Sequence, residues 1–430
     1  MNPECPPDLC VFTKGDKRVV LNPNAPSWAV LNREGLAVLK LCTGALSVQE
    51  IAQNLSLNFE EVNEFIQVLK EYRLLRGEDS SKESSYELQG IWLNVTNACN
   101  LTCLTCYQSS GDPYPDELTR KEILHLFQQM RTFKPKNENQ TVILTGGEPL
   151  LRSDLWEICQ IGSDLGLVMN LITNGTLVTE EIAQKAKSCI NQVQVSLDGI
   201  NTNDVIRGKG TFELAVKGIN VLQDHQIVPS IGIVVTRINC TEILQLLQFL
   251  TDLGITDIRM RPVIHQGRGH VNRSQLSISV EEYQLLVKHI YEEGFSSNPG
   301  LLKVERFAES IQAPTNNARG CPAGWRMVSV SSTGGVYPCI AGHISVLSMG
   351  SIRERSFADL WESDLSSKWR SFDVNSSAHC KVCEWRNFCG GGCKISAYLH
   401  SGQIGGGDSY CKAIKNLYYY TLMQECFHEL

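Results

Sequence analysis

Cys99-Asn100-Leu101-Thr102-Cys103-Leu104-Thr105-Cys106 places three thiols in one short stretch with C-x3-C-x2-C spacing. Thiolates are soft ligands that suit iron or zinc. Three of them on one loop can hold three irons of a cubane cluster and leave the fourth iron open to a chelating ligand. Four cysteines usually make a closed electron-transfer centre instead. A zinc site would want a fourth donor nearby. Further along, Cys380-x2-Cys383-x5-Cys389-x3-Cys393 is followed by Cys411 and preceded by Cys321 and Cys339. A zinc ribbon would use four of these seven, whereas two additional iron–sulfur clusters use them all. The remaining thiols, Cys5, Cys10, Cys42, Cys159, Cys189, Cys240 and Cys426, are scattered and read as buried or incidental.

Polar groups recur where predicted strands end. Gly146-Gly147-Glu148-Pro149 follows the apolar run Thr141–Leu144, so the backbone can approach a ligand closely and Glu148 can accept from an ammonium. Thr173-Asn174-Gly175 ends the next run, and Ser196-Leu197-Asp198-Gly199 the one after. Arg237 and Asn239 follow Ser230–Val235 and are weaker candidates for the same pocket. Parallel sheets gather ligands at their carboxyl edge, which is where all of these would lie.

The elements that must position them are legible as alternation. Ile91–Val95, Thr141–Leu144, Leu167–Ile172, Gln192–Leu197, Ser230–Val235 and Asp257–Met260 read as strands. Helical stretches lie between them, at Arg120–Phe127, Thr179–Lys187, Phe212–Val221 and Cys240–Leu253. Capping boxes mark Thr119 to Glu122 and Ser279 to Glu282. The expected fold class is α/β, a partial (β/α)6 TIM-like barrel over 88–310. Ahead of it, residues 1–80 form a separate small winged-helix-like domain. Short strands at Val11–Phe12 and Val19–Leu21 precede a helix at Arg33–Leu41, a capping box at Ser47 to Glu50, and a second at Asn58 to Glu61. The polar run Gly77 to Ser85 reads as a linker. Residues 315–430 are rich in Gly and Cys with little periodicity, so metal ligation has to supply what apolar burial does not. Within them, Ile352–Trp361 reads as a helix packing between clusters.

Composition narrows the class. A chain of 430 residues with 42% hydrophobic and 20% charged residues is globular and long enough for several domains. Its formal charge of -7 gives no attraction to nucleic acid, and no apolar run is long enough to span a bilayer. Met1 to Cys10 has no signal-peptide pattern, so the expectation is a cytoplasmic protein whose thiols serve metals rather than disulfides.

The spacing of Cys99, Cys103 and Cys106 after a first strand resembles the signature of radical S-adenosylmethionine (radical SAM) enzymes. That resemblance implies a 4Fe–4S cluster on these three residues, whose free iron chelates S-adenosylmethionine. Its reductive cleavage yields a 5′-deoxyadenosyl radical. The family's usual aromatic before the third cysteine is replaced here by Thr105, while Tyr107 follows it. By the same resemblance Gly146, Gly147, Glu148 and Pro149 form the methionine-amine site. Asn174, Ser196 and Arg237 line the cofactor pocket, and Asp198 faces substrate. The cysteines from Cys321 to Cys411 resemble the SPASM extension of peptide-modifying relatives. This implies a nearer auxiliary cluster on Cys321, Cys339 and Cys393 and a farther one on Cys380, Cys383, Cys389 and Cys411, three iron–sulfur clusters in all. The nearer has three cysteines, so its fourth iron is open, bound by another side chain or met by substrate; His343 and His379 are poor candidates for it.

The segment from Trp28 through Leu75 resembles the PqqD-like domains that grip the leader of a precursor peptide by adding it to a sheet edge. A DNA-binding alternative conflicts with charge, since residues 1–79 hold 8 Lys plus Arg against 11 Asp plus Glu, a net of -3. Together these resemblances imply a maturase of a ribosomally synthesised peptide. Its partners are a leader-bearing precursor and an electron donor such as ferredoxin or flavodoxin, and its product is a carbon–carbon or thioether crosslink. Backbone excision or epimerisation, a small-molecule radical SAM oxidase or decarboxylase, and a non-enzymatic redox regulator are the rivals.

Overall fold

The computed structural model describes residues 2–14, 17–25, 27–71, 73–76, 87–133, 139–293 and 321–427. The linker expected at Gly77 to Ser85 and the expected end of the barrel near 310 lie outside them. The amino-terminal unit is an antiparallel sheet in the order β1 (Cys10–Lys14), β2 (Lys17–Asn22), β3 (Ser27–Leu31). Helices α1 (Arg33–Leu41), α2 (Val48–Leu55) and α3 (Phe59–Glu71) follow. The box at Ser47 forms in full, with the Glu50 carboxylate accepting the Ser47 amide at 2.7 Å and the Ser47 hydroxyl accepting the Glu50 amide at 3.3 Å. In α3, Val62, Ile66 and Leu69 share one face and bury it with Val20, Leu31, Val38 and Ile51.

The central sheet carries the expected alternation. Its strands β4 (Gly90–Thr96), β5 (Thr141–Gly146), β6 (Val168–Thr173), β7 (Gln192–Ser196), β8 (Ser230–Val235) and β9 (Ile258–Pro262) are neighbours in chain order and parallel throughout. Period-two alternation puts Ile91, Leu93, Val142, Leu144, Met169 and Leu171 into one core, and Val193, Val195, Ile231, Ile233, Ile258 and Met260 into its continuation. Helices α4 (Arg120–Met130), α5 (Leu155–Asp164), α6 (Glu180–Cys189), α7 (Thr202–Arg207), α8 (Thr211–Asp224) and α9 (Ile243–Asp252) provide the connections. Cys240 to Glu242, expected as helix, are instead turn, and α5 and α7 add to the helices read from the sequence. The fold is thus the α/β partial barrel, its sheet open rather than closed.

The carboxy-terminal region joins that sheet. Strand β10 (Met327–Val330) lies parallel to β4 with Val328 opposite Ile91. Strands β11 (Gly335–Tyr337) and β12 (Gly350–Ser351) extend it antiparallel, giving nine strands. His343 ties this junction together. Its ring nitrogens meet the Ser329 hydroxyl at 2.8 Å and the Asn94 amide at 3.4 Å, and the ring stacks on Tyr337. The segment expected as a helix between clusters is helical only at Phe357–Trp361, and Phe357, Leu360 and Trp361 pack with Leu126, Phe127 and Met130 of α4. These apolar side chains fill the core between α4 and the sheet instead. Among the described residues no helix is long and apolar enough to cross a membrane.

Burial holds the His343 imidazole well below its ordinary value of 6.5, to about 4. The fold therefore keeps the ring neutral while the unfolded chain takes up a proton. Stability is complete above pH 6.5 and is lost as the pH falls toward 4, by about 3 kcal/mol. Urea midpoints for wild type and His343→Gln should converge across that window; parallel profiles would contradict this.

Candidate iron–sulfur and cofactor site

The cysteine loop leaves β4 at the carboxyl edge and closes on itself, with Cys99 N–H donating to Gly111 O at 2.8 Å and Gly111 N–H to Asn97 O at 3.1 Å. Between these points it has no regular structure, so its carbonyls need outside donors. Arg268 supplies most of them. Its Nε donates to Cys103 O and its Nη1 to Ser110 O, both at 2.8 Å, and its own amide donates to Cys106 O at 2.8 Å. Leu104 N–H donates to Ile206 O at 2.8 Å and Asn272 Nδ2 to Leu104 O at 3.2 Å. Gly267 lies against this loop at φ +55, where a Cβ would meet Tyr107 O at 2.5 Å and Cys106 O at 2.7 Å. Only glycine permits that approach. Sequence reasoning missed Gly267 and Arg268; a Gly-Arg-Gly turn just beyond the sixth strand was the available signal.

The three thiols fit a shared iron–sulfur ligand. Burial pushes Cys99 up to about 11; the Leu101 amide opposes it, and the charges of Cys103, Glu148 and Cys106 add to it. Burial also raises Cys103, against the opposing pull of the Arg207 guanidinium. A thiolate is therefore unfavourable here unless metal takes it. Among the described residues, no three His, Cys, Asp or Glu side chains converge as they would on a single metal ion. A cubane does not ask that of its ligands, since each sulfur binds its own iron.

Glu148 is fully buried beside this loop. Burial raises its pKa, although the Asn174 amide, the Thr173 hydroxyl and the Leu150 amide donate to it at 2.8, 2.8 and 3.1 Å. Among the described residues no Lys, Arg or His lies within ion-pair distance of it, so the site is poised for a cation from elsewhere. Pro149 starts the short turn that Glu148 caps. Gly146 and Gly147 have a different immediate reason from the one expected. A Cβ on Gly147 would fall 2.1 Å from Ala98 O, and one on Gly146 would fall 2.3 Å from Thr96 O. The pair brings the Glu148 turn down onto the root of the cysteine loop. Asn174 is tied in as well, donating from Nδ2 to Asn100 Oδ1 at 2.8 Å and accepting from Thr176. Ser196 ends β7, half-buried, opposite Gly232.

Two expectations are corrected. Asp198 does not face substrate: it is fully buried, its Oδ1 accepts the Val234 amide at 2.7 Å, and its Oδ2 lies 2.8 Å from Arg207 Nε. That contact is an ion pair, too far out of line to be a hydrogen bond. Arg237 does not line the pocket either. It is exposed, and its charge acts on Cys240 and Glu282. The turn after β8 is closed instead by Asn239, which donates to Asp198 O at 2.6 Å and Val234 O at 2.9 Å. Glu242 went unnoticed in the sequence. Its carboxylate accepts from the amides of Ile200, Asn201 and Thr202; burial would raise it, but the Thr202 hydroxyl, the Asn201 and Thr202 amides and the Asn201 side chain outweigh burial and hold it at about 2.

The remaining cysteines form two groups. Cys380, Cys383, Cys389 and Cys411 line one cavity of about 270 Å³ with Trp385, Arg386 and Lys415. Burial raises Cys339, and the charges of Cys321 and Cys393 raise it further, which puts those three together. Asp408 links the two groups, accepting the Cys393 amide at 2.8 Å while its charge raises Cys389. Neither histidine is free for the nearer set: His343 is engaged at the sheet junction, and His379 is exposed and lies over Gly407 by the other cavity. Tyr107 is half-buried with Arg261 beside it, packs with Cys339 and Cys393, and is acted on by the charges of both Cys106 and Cys339. The first set and the nearer auxiliary set therefore face each other across it.

Residues 93–250 match the radical SAM superfamily and residues 321–384 match SPASM, an iron-sulfur cluster-binding domain. The AdoMet-dependent heme synthase of Methanosarcina barkeri is 31% identical over 341 residues, covering 74% of this chain and 94% of its own. The chain belongs to the radical SAM superfamily. Other relatives of this radical SAM enzyme carry different names. Mycofactocin maturase MftC of Mycolicibacterium smegmatis is 29% identical over 326 residues, 74% of this chain and 81% of that protein. In fold, Streptococcus suis SuiB bound to S-adenosylmethionine superposes with a TM-score of 0.61 at 16% identity, over 95% of this chain and 100% of that one.

Removing the Asp198 charge should act on folding. Asp198→Asn leaves Arg207 buried without its counter-charge, and the denaturant midpoint should correspond to a loss of about 3–5 kcal/mol. A change confined to substrate KM, with stability intact, would restore the substrate-facing role.

Proposed function

We propose that this radical SAM enzyme matures a ribosomally synthesised peptide. In this reading residues 1–80 hold the leader, 88–310 form the catalytic barrel, and 315–430 carry two auxiliary clusters. The observation that carries it is the amino-terminal unit, which a barrel acting on a small molecule does not need. In that unit β3 pairs only with β2, so one side of it is an open sheet edge among the described residues. An extended leader can add there through backbone hydrogen bonds. Tethering then raises the local concentration of the core peptide at the barrel. SuiB, whose fold matches over nearly the whole chain, has also been solved bound to the precursor peptide SuiA.

Bound at Cys99, Cys103 and Cys106, a 4Fe–4S cluster with S-adenosylmethionine supplies a 5′-deoxyadenosyl radical that removes a hydrogen from the core peptide. Glu148 receives the cofactor's ammonium, which relieves its uncompensated burial. Gly146, Gly147 and Pro149 set the height of that carboxylate over the loop. Ser196 borders the pocket, and Asn174 acts through Asn100. Cys321, Cys339 and Cys393, behind Tyr107, lie where an electron left on the substrate can be taken up, which favours a carbon–carbon or thioether crosslink. The reductant is an external one-electron donor of the ferredoxin or flavodoxin type, and the reducing cytoplasm is the compartment that suits these thiols.

A second reading, modification of a tetrapyrrole side chain, is favoured by the heme synthase names among the sequence relatives. The two separate cleanly. Anaerobically reconstituted enzyme incubated with short peptides encoded beside it should remove two hydrogens from one of them, seen as a mass loss of about 2 Da. Deleting residues 1–80 should abolish that reaction. Turnover of an iron porphyrin that survives the deletion, with no peptide changed, would select the second reading.

A further inference from the structure

The amino-terminal unit docks on the five residues between two ligands of the farther cluster, Glu384 to Phe388. Phe12 of β1 stacks on Trp385 with ring centroids 5.6 Å apart and meets Tyr419 edge-on at 5.8 Å. The Arg386 guanidinium is buried and reaches both ways. It donates to Asp8 Oδ2 at 2.7 Å and to Asn24 Oδ1 on the unit, and to Cys383 O at 2.9 Å and Asn375 Oδ1 at 3.1 Å on its own side. Asn387 Nδ2 donates to Pro23 O. The Cys10 thiol lies close enough to Cys383 for the two charges to act on one another.

The only regular piece of that socket is Arg386–Cys389, a single helical turn. What holds it on the inside is the helix Cys411–Phe427, where Tyr418 stacks on Trp385 at 5.9 Å and donates to Phe388 O at 3.2 Å, and that helix itself begins at the fourth cysteine of the same set. Trp385 and Arg386 form part of the wall of the four-cysteine cavity, so the inner side of the socket is the cluster chamber itself. Cys383 and Cys389 fix the two ends of the segment only if something joins them. A metal cluster does this, and segments of this kind fold through such ligation.

We infer that the farther auxiliary cluster has an architectural role. It sets Glu384 to Phe388 as the socket for the amino-terminal unit, so the unit's seat depends on that cluster being assembled. The dependence is reciprocal, because a docked unit must stabilise the loaded cluster as much as the cluster stabilises docking. The inference rests on the assignment of Cys380, Cys383, Cys389 and Cys411 to one cluster and not on the nature of the substrate. Iron content and the spectrum of the unmodified chain test that assignment separately.

The test is hydrogen–deuterium exchange of residues 8–14 and 384–388 in the reconstituted full chain. Cys389→Ala should deprotect both segments at least tenfold while β4 to β8 stay protected, and Cys321→Ala, which removes the nearer cluster, should leave both as in wild type. Phe12→Ala combined with Asp8→Ala, both on the unit's own side, should undock the unit with iron content unchanged, and should speed loss of the farther cluster to a chelator severalfold. Wild-type protection of residues 8–14 in Cys389→Ala, or equal deprotection in Cys321→Ala, overturns the inference. Should Cys389→Ala also lose the protection of the barrel, the double variant decides: undocking with an unchanged chelation rate overturns the inference as well.

Discussion

Everything at the carboxyl edge depends on how an irregular loop is held still. From Asn97 to Gly111 the chain has neither helix nor strand to satisfy its backbone, yet it must present three sulfurs at fixed separations. One guanidinium does much of the holding: Arg268 binds the carbonyls of Cys103 and Ser110 while its amide takes that of Cys106. It can do so because Gly267 lets its turn lie directly on the loop. The loop is therefore clamped between the first strand of the barrel and the turn after the last one, so the two sides of the open sheet are joined at the cluster site through this loop.

Charge then sorts the neighbourhood. Glu148 is a buried carboxylate with three donors but, among the described residues, no cation at ion-pair distance, the condition in which an incoming ammonium is worth most. Asp198, equally buried, already has Arg207, and so belongs to the scaffold. Two acids at the ends of strands thus have opposite roles, decided by whether the chain itself supplies the counter-charge. Burial raises the Cys103 thiol; Arg207 opposes that while the Asp198 charge adds to it, so the two halves of the scaffold pair pull the thiol in opposite directions.

Much of this was legible in the residues. The thiol spacings announce the chemistry because few other arrangements use cysteine so densely, and the α/β alternation shows because each strand must bury one face under helices. The same periodicity located α1 and the capping boxes at Ser47, Thr119 and Ser279. What stayed hidden was contact between distant parts. Nothing local distinguishes Asp198, which is paired, from Glu148, which is not. Arg237 follows a strand as a ligand-binding residue would, yet points to solvent. Phe357, Leu360 and Trp361 look like a helix with a private role but fill a gap beside α4. The docking of Phe12 on Trp385 joins residues far apart in the chain, and no spacing rule reports it.

The central claim is that Cys99, Cys103 and Cys106 together bind one cubane with a corner left for S-adenosylmethionine. Electron paramagnetic resonance of the reconstituted, reduced chain, recorded with and without that cofactor, tests it most directly. One cluster signal should shift on addition of S-adenosylmethionine, and that component alone should vanish in Cys103→Ala while the auxiliary signals persist. A spectrum indifferent to the cofactor, or a responsive signal that survives Cys103→Ala, contradicts the account.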